Sequence, residues 1–436
     1  MLPPKFLDVL AGCRASFRCG AARGAGAAFL FALLAAPLEA ADRVVVISPN
    51  WEGIKVEFGR AFSDWHRART GRAVFVDWRD MGGTSDDLRF ILSEFRQNPE
   101  GIGVDLFFGG GIDPYLELER QGLLDRFDPP PAALAGIPPD LAGLPVYDPE
   151  RRWFGSALSS FGILRNDEVI RRMQLPTPRT WRDLADPRLR GWVGSGDPRN
   201  SGATHMVYES ILQAYGWEKG WEVILGIGRN IRQFDRSNSA AAKGCALGNT
   251  AAAVVVDFYG QVQIAETGSD RMSLVIPDGE SVLTADALAI LKGAPNLEVA
   301  RAFVEFVLSE EGQSLWMAPR GHPAGPRKFS IERMSVRPAL YAKFAGVTLV
   351  KTNPFRDLRP LRYEARLGAR RWSPLNALLG AVVIDRSPAE RERMRMPWSE
   401  AAFDAAVARD WKDPVRRNRL QLEWQAIRSS AVHSPR

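Results

Sequence analysis

The chain has 436 residues, 45% of them hydrophobic, which is more than one core comfortably encloses, so two or more compact lobes are expected. Its 39 glycines and 30 prolines are scattered, which suits many short loops and excludes a long disordered tract. Lysine and arginine exceed aspartate and glutamate by six, and no basic run alternates with aromatics, which excludes nucleic acid as a partner. An excess of that size draws anions only weakly through salt.

The first forty residues read as an address. Lys5, Arg14, Arg18 and Arg23 form a basic leader, GAGAAFLFALLAAP (24–37) is apolar, and LEAA (38–41) offers small residues for cleavage after Ala40 or Ala41. This is the form of a secretory signal peptide over 1–40. The apolar run falls short of the ~20 residues that span a bilayer, so a removable leader is expected rather than an anchor. LAGC (10–13) has the lettering of a lipoprotein processing site, but Asp8 interrupts the little apolar sequence before it, so lipid anchoring is not expected. Cys13 and Cys19 fall in the leader. Cys245 is then alone in the mature chain, where it forms no internal disulfide and reads as a buried inert thiol.

Beyond Arg43 strands and helices alternate. RVVVIS is a short buried strand, followed by PNWEG and a helix carrying Ile54, Phe58, Phe62 and Trp65 at helical spacing until Gly71. AVFVDW is a second strand. Gly82, Gly83, Thr84 and Ser85 then open a helix with Leu88, Ile91, Leu92 and Phe95 inward. VDLFFGGG is a third strand. Such repeats predict parallel sheets with helices on both faces, and ligands at the loops beyond the carboxyl ends of the strands. PPPAALAGIPP is a rigid surface segment, WFGSALSSFGILRN reads as strands, and DEVIRRMQL as a short helix.

SGDPRNSGATHMVYESIL (195–212) runs a turn at Asp197-Pro198 into an amphipathic helix that Asn200 or Ser201 caps. The unpaired amides of a helix start attract anions, and Gly202 and Ala203 put little side chain in the way. From these residues alone the stretch is either an ordinary cap or a seat for a ligand's negative charge. AAAVVVDFY and MSLVIP are further strands. PNLEVARAFVEFVLSEEGQSLWM is an amphipathic helical region, and beyond about Thr348 the chain turns arginine- and tryptophan-rich and helical.

TWRDLADPRLRGWVGSGDPRNSGATHMVYESIL resembles a segment that recurs in bacterial solute-binding proteins of ABC importers, the ferric-type and related branch. ALAILKGAPNLEVARAFVEFVLSEEGQ (287–313) resembles the late helix of the same family. The resemblance implies an α/β, two-lobed periplasmic-binding-protein fold of type II with the ligand between the lobes. It places the first lobe at 42–155 plus 277–345, the second at 156–276 and, at 346–436, a C-terminal helical extension like the one longer members carry across the lobes. It implies a monomer in the periplasm that hands its solute to membrane permease subunits, with no cofactor.

A cleft ligand needs donors from both lobes, because contacts made only in the closed form are what stabilise closure. The resemblance assigns Ser201, Gly202, Ala203 and Thr204 to the second lobe, and Gly83 and Thr84, with Gly82, to the first. Ser48 and Asn50, just past the first strand, and Ser160, beside Ser159 in the crossover, are further candidates. Two facing helix starts would seat a phosphate, phosphonate or carboxylate without a formal cation. Ferric members of the family hold iron with paired tyrosines. Here Asp257-Phe258-Tyr259 stands at the comparable place with one tyrosine replaced, so no metal is expected and a small anionic organic solute, phosphorylated or a phosphonate, is preferred over iron. Asp257 either accepts from the ligand or caps a helix; Tyr259 either touches the ligand or packs a cleft wall; His205 either meets a phosphate oxygen or sits on a helix flank. A secreted hydrolase is a rival class. The sequence has no Gly-x-Ser-x-Gly, His-Glu-x-x-His or Walker loop, and none of its four histidines has an evident nucleophile partner. A sensor-input protein built on the same fold is the third class.

Overall fold

A computed structural model describes residues 41–427 except Pro397. The expected leader, its two cysteines and its lipoprotein-like string lie outside the described residues. Three strand–helix units come first: β1 (Asp42–Ile47), α1 (Glu52–Thr70), β2 (Val74–Arg79), α2 (Thr84–Gln97), β3 (Leu106–Gly111) and α3 (Ile112–Arg120). β1 pairs in parallel with both β2 and β3. α1 forms because Ile54, Phe58 and Phe62 fall on one face and are fully buried. It ends where Gly71 takes a left-handed φ of 76°.

A single turn, α4 (Pro131–Leu134), and a tiny hairpin, β4 (Asp140–Leu141) with β5 (Leu144–Pro145), lead into β6 (Phe154–Asn166). WFGSALSSFGILRN is thus one long strand, and it changes partners midway. Residues up to Ser160 pair with β11 (Leu283–Ile290), whereas Phe161 to Arg165 pair with β9 (Ala252–Val256). Between these lie α5 (Asp167–Met173), β7 (Val193–Gly196), α6 (Gly202–Tyr215), α7 (Trp217–Asn230), β8 (Ile231–Asp235), α8 (Asn238–Ala246), α9 (Asp257–Thr267) and β10 (Met272–Val275). The strand order is β2-β1-β3-β11-β6-β9-β7-β8, with β10 beside β6. The sheet is mixed where a parallel one was expected. β6 and β11 carry the chain in opposite directions between the two halves, so each lies antiparallel to its neighbours. Cys245 is fully buried against the second half, its Sγ 3.6 Å from the Leu164 carbonyl, and burial pushes the thiol up to about 12.

The expected late helix over 287–313 is three pieces: the end of β11, then α10 (Leu297–Leu308) and α11 (Glu310–Met317). The break falls at Ser309, whose Oγ accepts from the Gly312 amide at 3.1 Å. A Cβ on Gly312 would stand 2.1 Å from the Phe306 carbonyl oxygen, so the tight turn requires glycine. α12 (Ala339–Lys343) follows. The extension is not helical from its start: no helix occupies 346–364, and only α13 (Ala365–Leu379), a π-helical turn (Gly380–Ile384), α14 (Pro388–Arg393), α15 (Glu400–Asp410) and α16 (Pro414–Gln425) are. These helices bury Leu375, Leu378, Phe403, Leu420 and Trp424.

Two buried side chains help to pin the segment between α11 and α12. Glu57, fully buried on α1, accepts from the Arg327 and Phe329 amides at 2.9 Å each and from the Lys328 amide. Gln313 takes the Val336 amide at 3.1 Å and the Ser335 hydroxyl at 2.7 Å. Burial pushes the Glu57 carboxyl up, but the three amides and Arg60 outweigh it, and the net displacement is down. Its stabilising contribution is therefore present above the ordinary carboxylate range and is lost as pH falls through the depressed folded value. Glu57→Ala, which orphans three amides, is expected to cost about 3 kcal/mol in urea unfolding. Glu57→Gln is expected to unfold with a flatter acid limb than wild type.

Candidate functional site

Within each half the helices that follow the parallel strands start at those strands' carboxyl ends, so α2 and α3 start on one side of the first half and α6, α8 and α9 on one side of the second. In the second half the starts of α6, α8 and α9 are tied together. Ser201, rather than Asn200, caps α6, its Oγ accepting from the Thr204 amide at 3.3 Å. Asn238, at the start of α8, donates to Thr204 Oγ1 (3.3 Å) and to the Val254 carbonyl (3.0 Å), and accepts from the Val256 amide (2.8 Å) just ahead of Asp257. Sequence reasoning missed Asn238. The only local signal was the cap-like Ser237-Asn238 ahead of an alanine run.

The starts of α2 and α6 do face one another, but they touch. A Cβ on Gly83 would lie 1.8 Å from the Asn200 carbonyl oxygen, and one on Gly202 would lie 2.9 Å from Thr84 Cβ and 3.2 Å from the Trp372 ring. The Gly83 amide is taken by the Asp86 carboxylate at 3.1 Å. Gly202 and Ala203 amides have no acceptor among the described residues. The seat expected between the tips is therefore filled in this arrangement by Thr84 and by an indole from the extension. Ser48 and Asn50 turn toward β3 instead: Ser48 Oγ donates to the Phe108 carbonyl at 2.7 Å and Asn50 Nδ2 to the same oxygen at 3.3 Å. His205 is fully buried, with Nδ1 2.8 Å from Asn376 Oδ1. Burial holds its imidazole down to about 4, so at neutral pH it carries no charge for a phosphate.

Further in, at the point where β6 changes partners, charge gathers. The Ser160 amide and hydroxyl both donate to Asp257 Oδ2 at 3.1 Å, and the Phe258 amide donates to Asp257 Oδ1 at 2.8 Å. Asp257 thus heads α9, joined to a residue the sequence reading also singled out. Burial raises its carboxyl to about 6, with Arg333 pulling the other way. Tyr259 packs on Phe258 with ring centroids 4.3 Å apart, and burial raises its phenol, which disfavours the phenolate that binds ferric iron. Among the described residues no group of three or more His, Cys, Asp or Glu is placed to hold a metal ion.

Arg333 is the principal residue that sequence reasoning missed. It is 1% exposed. Its Nη2 donates to Ser159 Oγ at 2.7 Å and pairs with Asp286, and its guanidinium carbon lies 4.2 Å from the centre of the Phe258 ring. Nε and Nη1 have no partner among the described residues. Its own amide donates to the Trp316 carbonyl at 2.8 Å, which fixes where the side chain enters. The preceding residue, Glu332, sits at φ 54°, a strained conformation for a long side chain. Ser160, Asp257, Phe258, Glu332, Arg333 and Lys351 line a cavity of about 20 Å³, room for one water molecule. A buried cation with spare donors beside a polarised carboxyl can hold an anion in a fixed orientation.

The sequence pattern described as bacterial extracellular solute-binding protein matches residues 104–336, more than half the chain, and spans Ser160, Ser201 to Thr204, Asp257 and Arg333. The phosphoglycerate transport regulatory protein PgtC of Salmonella typhimurium is 24% identical over 357 residues, which is 77% of this chain and 86% of that protein. An uncharacterized protein of Haemophilus influenzae is 26% identical over 226 residues; the match takes in half of this chain and 62% of that protein's length. Among solved structures, the periplasmic binding protein AfuA from Actinobacillus pleuropneumoniae, with exogenous fructose-6-phosphate bound, superposes with a TM-score of 0.65 at 20% identity, covering 79% of this chain and 99% of that one. Iron-bound HitA from Pseudomonas aeruginosa gives 0.60 at 21% identity, covering 78% and 99%. At these identities the structural likeness speaks to the fold, which is that of the two-lobed type II periplasmic binding proteins carrying additional C-terminal helices. The chain belongs to the bacterial extracellular solute-binding proteins, a family of binding proteins rather than enzymes.

Proposed function

We propose that this protein is the periplasmic component of an ABC importer, that it works as a monomer, and that its solute is a small organic anion bearing a phosphate or phosphonate. In this reading residues 42–155 and 277–345 form the first lobe, 156–276 the second and 346–436 the extension, and the leader directs secretion. The observation that carries the reading is Arg333: a nearly inaccessible guanidinium with two free donors, lining the small cavity beside Ser160 and Asp257 where β6 changes partners. An anion satisfies those donors, while Asp257 is left to accept from a hydroxyl or amine of the same solute. When the lobes part, the free amides of Gly202 and Ala203, with Ser201, Thr204, Gly83 and Thr84, become the outer donors. Ser48, Asn50 and Tyr259 shape the walls. The sugar phosphate named with AfuA and the phosphoglycerate named with PgtC belong to the same chemical class.

Thermal unfolding in the presence of fructose 6-phosphate, 3-phosphoglycerate, 2-aminoethylphosphonate, inorganic phosphate and ferric iron tests this. A solute at a hundred times its Kd adds about 2.7 kcal/mol of stability, so at least one organic phosphate or phosphonate is expected to raise Tm in a saturable way. A shift with ferric iron, accompanied by a visible phenolate-to-metal band, would replace this reading with the iron-binding one. Arg333→Lys keeps a cation for Asp286 but loses the planar fork. It is expected to weaken binding of the active solute by about tenfold or more, because a hydrogen bond to a charged group is worth about 1.5–3 kcal/mol, while Tm without solute stays near wild type. Gly202→Val, which puts a side chain where the two helix tips meet, is expected to abolish solute binding by calorimetry without unfolding the protein; unchanged affinity would remove the tips from the site.

A further inference from the structure

The extension does not sit on one lobe. The Tyr363 hydroxyl donates to Asp113 Oδ1 at 3.0 Å on α3 of the first lobe, and lies 3.9 Å from Met206 Sδ on α6 of the second. The Trp372 indole donates from Nε1 to Ser85 Oγ at 3.1 Å, in the first turn of α2, while its ring packs on His205 of α6 at 4.0 Å between centroids. Asn376 meets the same histidine, and Asp385 pairs with Arg199 at 2.9 Å just ahead of α6. Tyr363 and Trp372 are both buried. Two side chains of one segment therefore each contact both lobes, at the mouth where the lobes must separate.

We propose that residues 363–385 are an intramolecular strap that latches the two lobes shut, so that the cleft opens only when Trp372 and Tyr363 leave their seats. The strap rests on the two-lobed fold and not on the identity of the solute. It also covers an acidic pair drawn from both lobes. Asp113 Oδ2 and Glu209 Oε2 have no partner among the described residues. Tyr363 and Glu209 face Asp113; Gln213, Arg371, Glu400 and Asp404 face Glu209, and His205 one turn away is neutral. Burial raises Asp113 to about 8, with Glu209 pushing the same way, and raises Glu209 to about 7. While latched, Asp113 keeps its proton through neutral pH and Glu209 releases its own near 7, whereas carboxyls in water ionise near 4. Their folded values lie above their free ones. The latch is thus at full strength below the free values and is lost as pH climbs through 7 to 8.

Hydrogen–deuterium exchange read by mass spectrometry on the whole protein, without solute, tests the strap. Corrected for intrinsic rates, amides 83–87 and 201–205 of wild type are expected to exchange several-fold faster at pH 8.5 than at pH 6. Trp372→Ala is expected to speed them at least tenfold at pH 6 while β1 and β9 keep their protection. The double variant Asp113→Asn with Glu209→Gln is expected to lose the pH dependence. Wild-type protection at both tips in Trp372→Ala overturns the proposal, as does a pH response that survives the double variant. Should Trp372→Ala loosen β1 and β9 as well, Tyr363→Phe decides, since it removes only the hydroxyl that reaches Asp113: faster tips support the strap, unchanged tips overturn it. Solute binding plays no part in any of these readings, so the strap and the proposed solute class fail separately.

Discussion

The architecture depends on a chain that must cross between two halves twice, side by side and in opposite directions. β6 carries it out and β11 brings it back, and the two lie antiparallel along their shared length. That pairing places Ser159, Ser160 and Asp286 at the junction, where the sheet's hydrogen bonds pass from one set of partners to the other. Arg333 enters the same place from a separate loop and shares Asp286 and Ser159. Burying a lone guanidinium is costly, and a single carboxylate beside it offsets only part of the cost. Two of its donors, Nε and Nη1, are left without a partner among the described residues.

Several elements were legible because their signal is local. Ile54, Phe58 and Phe62 recur with the helical period, Gly71 ends that helix, and Ser201 caps α6 as hydroxyl residues do before an apolar stripe. Other features depend on distant partners and leave no mark in a window of sequence. Ser160 and Asp257 were each singled out, but the bond between them spans 97 positions. Arg333 stands in an ordinary-looking KFSIERMS stretch, and it is distant partners, the Trp316 carbonyl, the Leu158 amide, Glu57 and Gln313, that hold that loop. Glu57 itself lies on the inner face of α1, where an acid is not expected, because it serves three amides from a loop some 270 residues away.

The helix tips teach a similar lesson. Resemblance was enough to place α2 and α6 opposite each other, since both follow strands and both begin with small residues. It did not reveal that a side chain at Gly83 would run into the Asn200 backbone, or one at Gly202 into Thr84 and Trp372. It carried the C-terminal extension across the lobes, but it did not name Trp372 as the residue that reaches this point. The extension's arginine and tryptophan richness looked like composition. In the fold those residues are contacts: Arg371 reaches Glu400 and Asp404, and Trp372 reaches Ser85.

Cys245 gives the molecule an internal reporter. Its sulfur is sealed among Leu164, Ala242, Ala253 and Val255, and its proton is held far more tightly than a free thiol's. Reagents that attack thiolates will not find it until α8 leaves the sheet it covers. Its rate of alkylation under native conditions therefore counts the rare excursions in which α8 lifts from β6 and β9, with no substitution introduced to watch them.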